Sequence, residues 1–351
     1  MTNAPTSRYD LARHELAELL DSEPSYRVDQ VWNGLYERAA DLDELTNLPK
    51  SLRATLAELL PEALTLVTES VSDGGDTVKW LWSLDGGALV ETVLMHYKDR
   101  STVCISTQAG CAMGCGFCAT GQAGFERNLG VGEIVEQVVR AVRRARPRRL
   151  SNVVFMGMGE PLANYDRTIE AARRIHDDIG ISARHLTVST VGIVPGIRRL
   201  ATEGLPVSLA VSLHAANDEL RDELVPINRR YPIAELLEAC RDYRTRTRRR
   251  VSFEWALISG VNDRFADADE LAELCRTARA HVNLIPLNPT PGYPTVGTPM
   301  PAVRAFRDRL EASGVNATVR ANRGTDIDAA CGQLRASHEI SAVAPPTRRR
   351  S

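Results

Sequence analysis

The sequence predicts an α/β chain in which a small helical unit and a β-hairpin precede a long run of alternating strands and helices. Three observations carry this. Apolar residues recur at spacings of three and four between Arg13 and Leu64. Two segments of alternating polarity flank Asp85-Gly86-Gly87. From Ser101 onward, short β-branched runs take turns with segments of helical period, the pattern of parallel strands joined by crossover helices.

In chain order, Val28, Val31, Trp32 and Leu35, then Leu52, Leu56 and Leu60, mark helical faces punctuated by Pro49 and Pro61. Hairpin strands are expected at 78–84 and 88–97. Later strands are expected at 103–107, 152–156, 186–189, 207–212, 251–257 and 282–287. Helices are expected at 131–144, 168–178, 233–244, 267–278 and 302–312. About six such units suit a partial or closed barrel as well as an open doubly wound sheet. In either case the active site lies beyond the carboxyl ends of the strands. No G-x-G-x-x-G follows the first strand, so a dinucleotide site has no support. The expected divisions are a helical accessory domain at 1–75, a hairpin extension at 76–100, a barrel at 101–338 and a disordered basic tail at 339–351.

Hydrophobic residues make up 43% of the 351 and charged residues 25%, ordinary values for a soluble globular chain. No apolar run approaches the roughly 20 residues that span a bilayer, and residues 1–10 lack an apolar signal core. A cytoplasmic protein with no membrane partner is therefore expected. The seven cysteines are odd in number, which argues against a disulfide framework, and four of them fall within residues 104–118. Net charge is −2, but arginines cluster at 140–149, at 241–250 and at 348–350. Each run alone suits a solvated helix end or a tail; together they are candidate contacts to nucleic-acid phosphates.

After the first barrel strand the chain reads Cys111-Ala-Met-Gly-Cys115-Gly-Phe-Cys118. Three thiolates at C-x3-C-x2-C can hold three corners of a cubane iron–sulfur cluster and leave one iron open. The alternative is a zinc site, but closed zinc sites want four ligands, and Cys104 or a distant histidine would have to complete it. Cys240 and Cys275 sit in helix-patterned segments and read as core residues.

This motif, with an aromatic residue before its last cysteine, resembles the signature of the radical S-adenosylmethionine (SAM) superfamily. Gly157-Met-Gly159-Glu160-Pro161, at the next strand end, resembles that superfamily's Gly-Gly-Glu element, whose backbone receives the SAM amino group. Further segments narrow the resemblance: Gln108-Ala-Gly-Cys111, Ser189-Thr-Val-Gly-Ile-Val-Pro195, Ser212-Leu213-His214-Ala-Ala-Asn217, Leu224-Val-Pro-Ile-Asn228-Arg, Asn283-Leu-Ile-Pro-Leu-Asn288-Pro and Arg323-Gly-Thr-Asp326-Ile-Asp-Ala-Ala-Cys331-Gly-Gln-Leu334. Together these resemble the RlmN-type ribosomal and transfer RNA adenine C2 methyltransferases, relatives of the C8-methylating Cfr enzymes. The likeness is dense from Val78 to Leu334 and only architectural before it.

The resemblance implies a radical SAM (βα)6 partial TIM-like barrel, with a [4Fe-4S] cluster on Cys111, Cys115 and Cys118. SAM would serve as both methyl donor and radical source. It implies SAM contacts from Gly159, Glu160, Ser189, Ser212, Leu213, His214 and Asn288. It also implies Cys331 as an S-methylated intermediate, Cys104 as its transient disulfide partner and Glu91 as proton acceptor. Taken on their own surroundings, Cys104 and Cys331 would pass for packing cysteines and Glu91 for an exposed strand residue. The implied partners are 23S ribosomal RNA before full ribosome assembly (at adenine 2503), transfer RNA (at adenine 37) and an electron donor such as flavodoxin or ferredoxin. The helical unit and the arginine runs, Arg246, Arg248 and Arg249 among them, are candidate RNA grips. A Cfr-like C8 methyltransferase and a non-catalytic zinc-bearing RNA-binding protein are the rival readings.

Overall fold

Helix formation at the N-terminal end follows the punctuation in the sequence. In this computed structural model, which describes residues 7–288, 290, 293, 296–320, 323–330 and 332–334, α1 (Arg13–Leu19), α2 (Tyr26–Leu35) and α3 (Lys50–Leu59) are short. α3 starts directly after Pro49 and stops ahead of Pro61, because the residue before a proline is pushed out of the helical region. Leu52 and Leu56 face inward from it.

The chain then enters a sheet. Strands β1 (Thr65–Ser72), β2 (Thr77–Ser83) and β3 (Leu89–His96) run antiparallel, and β3 pairs antiparallel with β4 (Ser101–Cys104). Gly86 and Gly87, both at positive φ, make the β2–β3 turn. A two-stranded ribbon, β5 (Gln108–Gly110) with β6 (Phe125–Asn128), encloses the three-cysteine loop and the short α4 (Ala119–Ala123). Next come α5 (Val131–Ala145), β7 (Leu150–Phe155), α6 (Tyr165–Asp177), β8 (Leu186–Thr190), α7 (Val194–Leu200) and β9 (Ser208–Ser212). The chain continues with α8 (Asp218–Leu224), α9 (Ile233–Thr247), β10 (Val251–Leu257), α10 (Phe265–Ala278), β11 (His281–Pro286), α11 (Met300–Ala312) and β12 (Ala317–Val319).

One sheet of ten strands runs in the order β1-β2-β3-β4-β7-β8-β9-β10-β11-β12, parallel from β4 onward. This is the partial barrel the family resemblance implies, with two differences. The hairpin is the edge of the barrel sheet rather than a separate extension, and β1 widens it. Residues 65–72 therefore belong to the sheet and not to the helical unit. β1 is mostly exposed on both faces, so it shows no apolar alternation to read. β12 has only three residues, too short for a period to emerge.

Side chains alternate across the strands. Val103, Val153, Val188, Val211, Phe253, Trp255 and Leu284 point to the helices and build one continuous core. Thr102, Asn152, Ser189, Ser212, Glu254 and Asn283 point into the lumen and line cavities there. A TIM barrel packs its lumen with branched apolar residues. A polar lumen leaves room for a ligand.

The N-terminal helices share this core, with Leu16, Val31, Trp32 and Leu56 in the same cluster as Ile134 and Val138 of α5. Trp32 Nε1 donates to Asp178 at 2.9 Å, and Arg174 of α6 donates to the carbonyls of Tyr9 and Leu11. The arginine run at 140–149 completes this fastening. Arg140 pairs with Glu62 and Glu136, Arg143 with Asp41 and Glu44, and Arg144 with Glu69. Both internal arginine runs end where helices hand over to the N-terminal ends of β7 and β10. They lie at the opposite end of the barrel from the site described below. The tail arginines 348–350 lie outside the described residues. Among the described residues no helix is long and apolar enough to cross a membrane.

Candidate active site

The cysteine loop is shaped by backbone bonds. Cys111 N donates to Gly124 O at 2.7 Å, and Cys118 N to Cys115 O at 3.1 Å, while Gly114 turns the chain at φ +68°. At Gly121 an added Cβ would lie 2.9 Å from Cys115 O, so α4 can press against the loop only with glycine there. All three thiols line one cavity of about 160 Å³ at the carboxyl ends of the strands. Burial, which disfavours thiolates, pushes Cys111 up to about 11 and Cys115 further, and the neighbouring thiols add to the effect.

That environment fits a cationic iron cluster. Three clustered thiolates, Cys115 buried and Cys111 and Cys118 half-buried, need compensating positive charge, and iron both supplies it and favours soft sulfur ligands. Among the described residues, no three His, Cys, Asp or Glu side chains converge closely enough to hold a single ion. The three thiols line a single cavity, a set of soft donors that suits an iron–sulfur cluster.

The rest of the cavity wall comes from successive strand ends. After β7, Gly159 sits at φ +98°, where a Cβ would be 2.5 Å from Gln108 Cβ. That close approach lets Glu160 N donate to Gln108 Oε1 at 2.8 Å. The buried Glu160 carboxylate accepts from Leu162 N at 3.0 Å and from Val191 N at 2.8 Å, joining the loops after β7 and β8. Burial raises its pKa to about 7 despite these donors. Ser189 Oγ donates to Phe155 O at 2.6 Å.

His214, after β9, adopts φ +59° and is buried edge-on to Phe117 with ring centroids 4.8 Å apart. Its Nδ1 accepts from Ala256 N at 2.9 Å, so the neutral ring carries its proton on Nε2. Burial, aided by the Arg221 charge, holds its pKa down at about 3.

Gly159, Glu160, Ser189, Ser212 and His214 thus stand on one wall with the three cysteines. Leu213 and Asn288 stand back from it. The Leu213 side chain is in the apolar core, and Asn288 is buried one residue beyond Leu287, which does line the cavity.

Two further residues organise the site that sequence reasoning did not single out. Arg221 is fully buried and donates to the carbonyls of Val191, Ser212 and Leu213 and to Asn228 Oδ1, bracing the loops after β8 and β9. Burial brings its pKa down to about 10. Its only sequence signal was its place just before the Leu224-to-Asn228 motif. Glu254 of β10 lines the cavity and accepts from Ser252 at 3.0 Å and from Asn283 at 2.7 Å. In sequence it is one polar residue within an otherwise apolar strand.

Cys104 lies on the other side of a partition formed by Met156 and Ile285, which line both this cavity and a second one of about 400 Å³ lower in the lumen. Cys104 lines the lower cavity with Thr102, Asn152 and Asn283. β-register places Val93 opposite Cys104, so Glu91, two residues along β3, shares the Cys104 face. Glu91 is buried, with Lys79 Nζ 3.0 Å from its Oε1, and is not the exposed strand residue its surroundings in sequence suggest. Cys331 lies outside the described residues. Of its neighbours, Ala330 lines the lower cavity and Gly332 the upper.

Comparison with known proteins matches residues 105–275 to the model of the radical SAM superfamily. A protein of Parafrankia sp., described as "Probable dual-specificity RNA methyltransferase RlmN", is 53% identical over 99% of this chain and 94% of its own length. A relative with the same description from Chloroflexus aurantiacus is 51% identical over 95% of this chain and 93% of its own. The crystal structure of a radical SAM methyltransferase from Sphaerobacter thermophilus superposes with a TM-score of 0.92 at 54% identity, covering 95% of this chain and all of the other. Near-full-length identity at this level, on a barrel with three thiols at its mouth, establishes that the chain belongs to the RlmN family of radical SAM dual-specificity RNA methyltransferases.

Proposed function

We propose that this enzyme methylates C2 of adenine, at adenine 2503 of 23S ribosomal RNA and adenine 37 of some transfer RNAs, by a methyl relay through Cys331. The observation that carries the reading is the pair of adjoining cavities. One is lined by the three thiols and the strand-end ring, the other by Cys104, and the residues flanking Cys331 contribute to one each.

C2 of adenine is an electron-poor carbon and cannot displace the methyl group of SAM, so a polar transfer stalls. A [4Fe-4S] cluster on Cys111, Cys115 and Cys118 would cleave SAM by one electron and supply a 5′-deoxyadenosyl radical. The remaining work falls to side chains. The Gly159–Glu160 backbone receives the SAM amino group, and Ser189, Ser212 and His214 hold the rest of the molecule, with Leu213 and Asn288 backing that wall. The Cys331 thiolate takes a methyl group from a first SAM, its S–C bond forming as S-adenosylhomocysteine leaves. After that methyl loses a hydrogen atom to the radical from a second SAM, its carbon bonds to C2, and the adduct gives up its unpaired electron, which the cluster on Cys111, Cys115 and Cys118 would take back. Glu91 then takes the C2 proton. The Cys104 thiolate attacks the Cys331 sulfur, the S–S bond forms, the C–S bond breaks and the departing carbon picks up a proton as the new methyl group. An external reductant returns the disulfide to two thiols, and flavodoxin or ferredoxin provides electrons to the cluster.

The base must be flipped out of its stack to enter, at a cost of a few kcal/mol, which favours RNA that has not yet been assembled into ribosomes. Kinship with relatives named RlmN favours C2 over C8. The setting for this chemistry is the cytoplasm.

The test uses anaerobically reconstituted enzyme with SAM, a reductant and unmodified 23S ribosomal RNA, beside a Cys331→Ala variant. 5′-Deoxyadenosine together with 2-methyladenosine, the latter abolished in the variant, supports the reading. 8-Methyladenosine would move the enzyme to the Cfr-like reaction. Zinc in place of iron, with SAM left intact, would sink the radical mechanism.

A further inference from the structure

The lysine beside Glu91 has a second partner. Lys79 Nζ is 3.0 Å from Glu91 Oε1 and donates to the main-chain carbonyl of Asp328 at 3.4 Å. Strand register explains the reach. Lys79 of β2 is opposite Val93 of β3, which is opposite Cys104 of β4, so these three form one row on the lumen face. Glu91 lies on the diagonal from Lys79, a separation that long side chains span. Asp328 lies three residues before Cys331. It adopts φ +51°, and its carboxylate is 3.5 Å from Gln333 Nε2, so the chain on either side of Cys331 is drawn together.

Lys79 and Glu91 side chains are only 14% and 6% exposed. Removing two charges from water costs more than a simple surface pair returns, so stability alone is a poor reason for this arrangement. Geometry offers another. One ammonium group touches both the strand that carries Glu91 and the segment that carries Cys331.

We propose that Lys79 is a positioning residue for removal of the C2 proton, its ammonium fixing the Glu91 carboxylate against the segment that bears Cys331. This rests on the reading of Glu91 as proton acceptor. The lysine exchanges no proton with RNA. It acts after carbon–carbon bond formation, and the steps before it do not need it.

The test compares full-length, cluster-loaded wild type with Lys79→Met, Lys79→Arg and Glu91→Gln, using SAM and an unmodified transcript of 23S ribosomal RNA. Three quantities are read: S-methylation of Cys331 by mass spectrometry, 5′-deoxyadenosine, and covalent protein–RNA adduct on a denaturing gel. Lys79→Met is expected to keep the first two within about twofold while methylated RNA falls about tenfold or more and adduct accumulates. Lys79→Arg should restore most of the product. If Lys79→Met does not load iron, Lys79→Gln, which is neutral but keeps an N–H, decides the same question. Wild-type product and no adduct in the neutral variant, with Glu91→Gln blocked at the adduct, would overturn the role of Lys79 alone. Wild-type product from Glu91→Gln would remove the proton-acceptor reading and this inference with it.

Discussion

The main-chain N–H of Ala119 donates to the carbonyl of Gly332 at 2.8 Å, tying the residue after Cys118 to the residue after Cys331. Thr120 Oγ1 adds a second tie, to Leu334 O at 2.6 Å. Upstream, Gly324 N donates to Asp73, Ser72 bonds Asp326, and Arg323 donates to His96 O at 2.9 Å. The segment around Cys331 is therefore anchored on one side by the antiparallel edge of the sheet and on the other by the cysteine loop.

Thr120→Val keeps the shape of the side chain and leaves Leu334 O without its donor, a loss worth about 1–3 kcal/mol. The expected result is faster alkylation of Cys331 by iodoacetamide at unchanged iron content. Equal labelling rates in variant and wild type would show that the tie does not hold the segment.

His214 sets a pH dependence. Its ordinary value is 6.5 and in the fold it lies at about 3, so folding favours the neutral ring. That contribution is complete above pH 6.5 and is lost as pH falls through about 3, a difference of roughly 3–5 kcal/mol. Asparagine tolerates positive φ and can offer Oδ1 to Ala256 N. His214→Asn should therefore fold, and its denaturant midpoint should fall less than that of wild type between pH 7 and pH 4. Parallel loss in both proteins would assign the acid sensitivity to other groups.

Arg221→Lys retains the charge but loses the planar fork that reaches four acceptors. Two or more buried carbonyls then lack donors, and stability should drop by about 3 kcal/mol. Because Val191 and Ser212 line the cavity, SAM affinity measured by calorimetry should fall about tenfold. A variant that is less stable yet binds SAM normally would confine Arg221 to the scaffold.

The two internal arginine runs should behave differently from one another. Arg246→Glu with Arg248→Glu, at the far end of the barrel, is expected to leave RNA affinity and its salt slope unchanged in filter binding. Arg143→Glu places like charge beside Asp41 and Glu44 and should lower the thermal midpoint, with a cost of about 1 kcal/mol. A reduced salt slope in the double variant would return that run to the RNA footprint.

Much of the barrel was legible in the sequence because its signals are local. The strands at 152–156, 186–189 and 251–257 and the helices at 131–144 and 233–244 appear within a residue or a few of expectation, since a core face imposes its period on the chain that builds it. β1 was not legible, for it buries neither face consistently. The exposed reading of Glu91 failed for a different reason. Alternation says which residues share a face, but not that the β-edge folds onto the barrel lumen.

The sequence by itself determined the βα alternation, the three-cysteine loop and the strand-end positions of Gly159, Ser189, Ser212 and His214, all of them features of neighbouring residues. Tertiary structure alone decided that Arg221 braces the cavity wall, that Glu254 enters it and that Lys79 joins Glu91 to Asp328. Those relationships depend on strand register and on contacts between residues far apart in the chain, where a side chain's surroundings are set by the partner strand and not by its own neighbours.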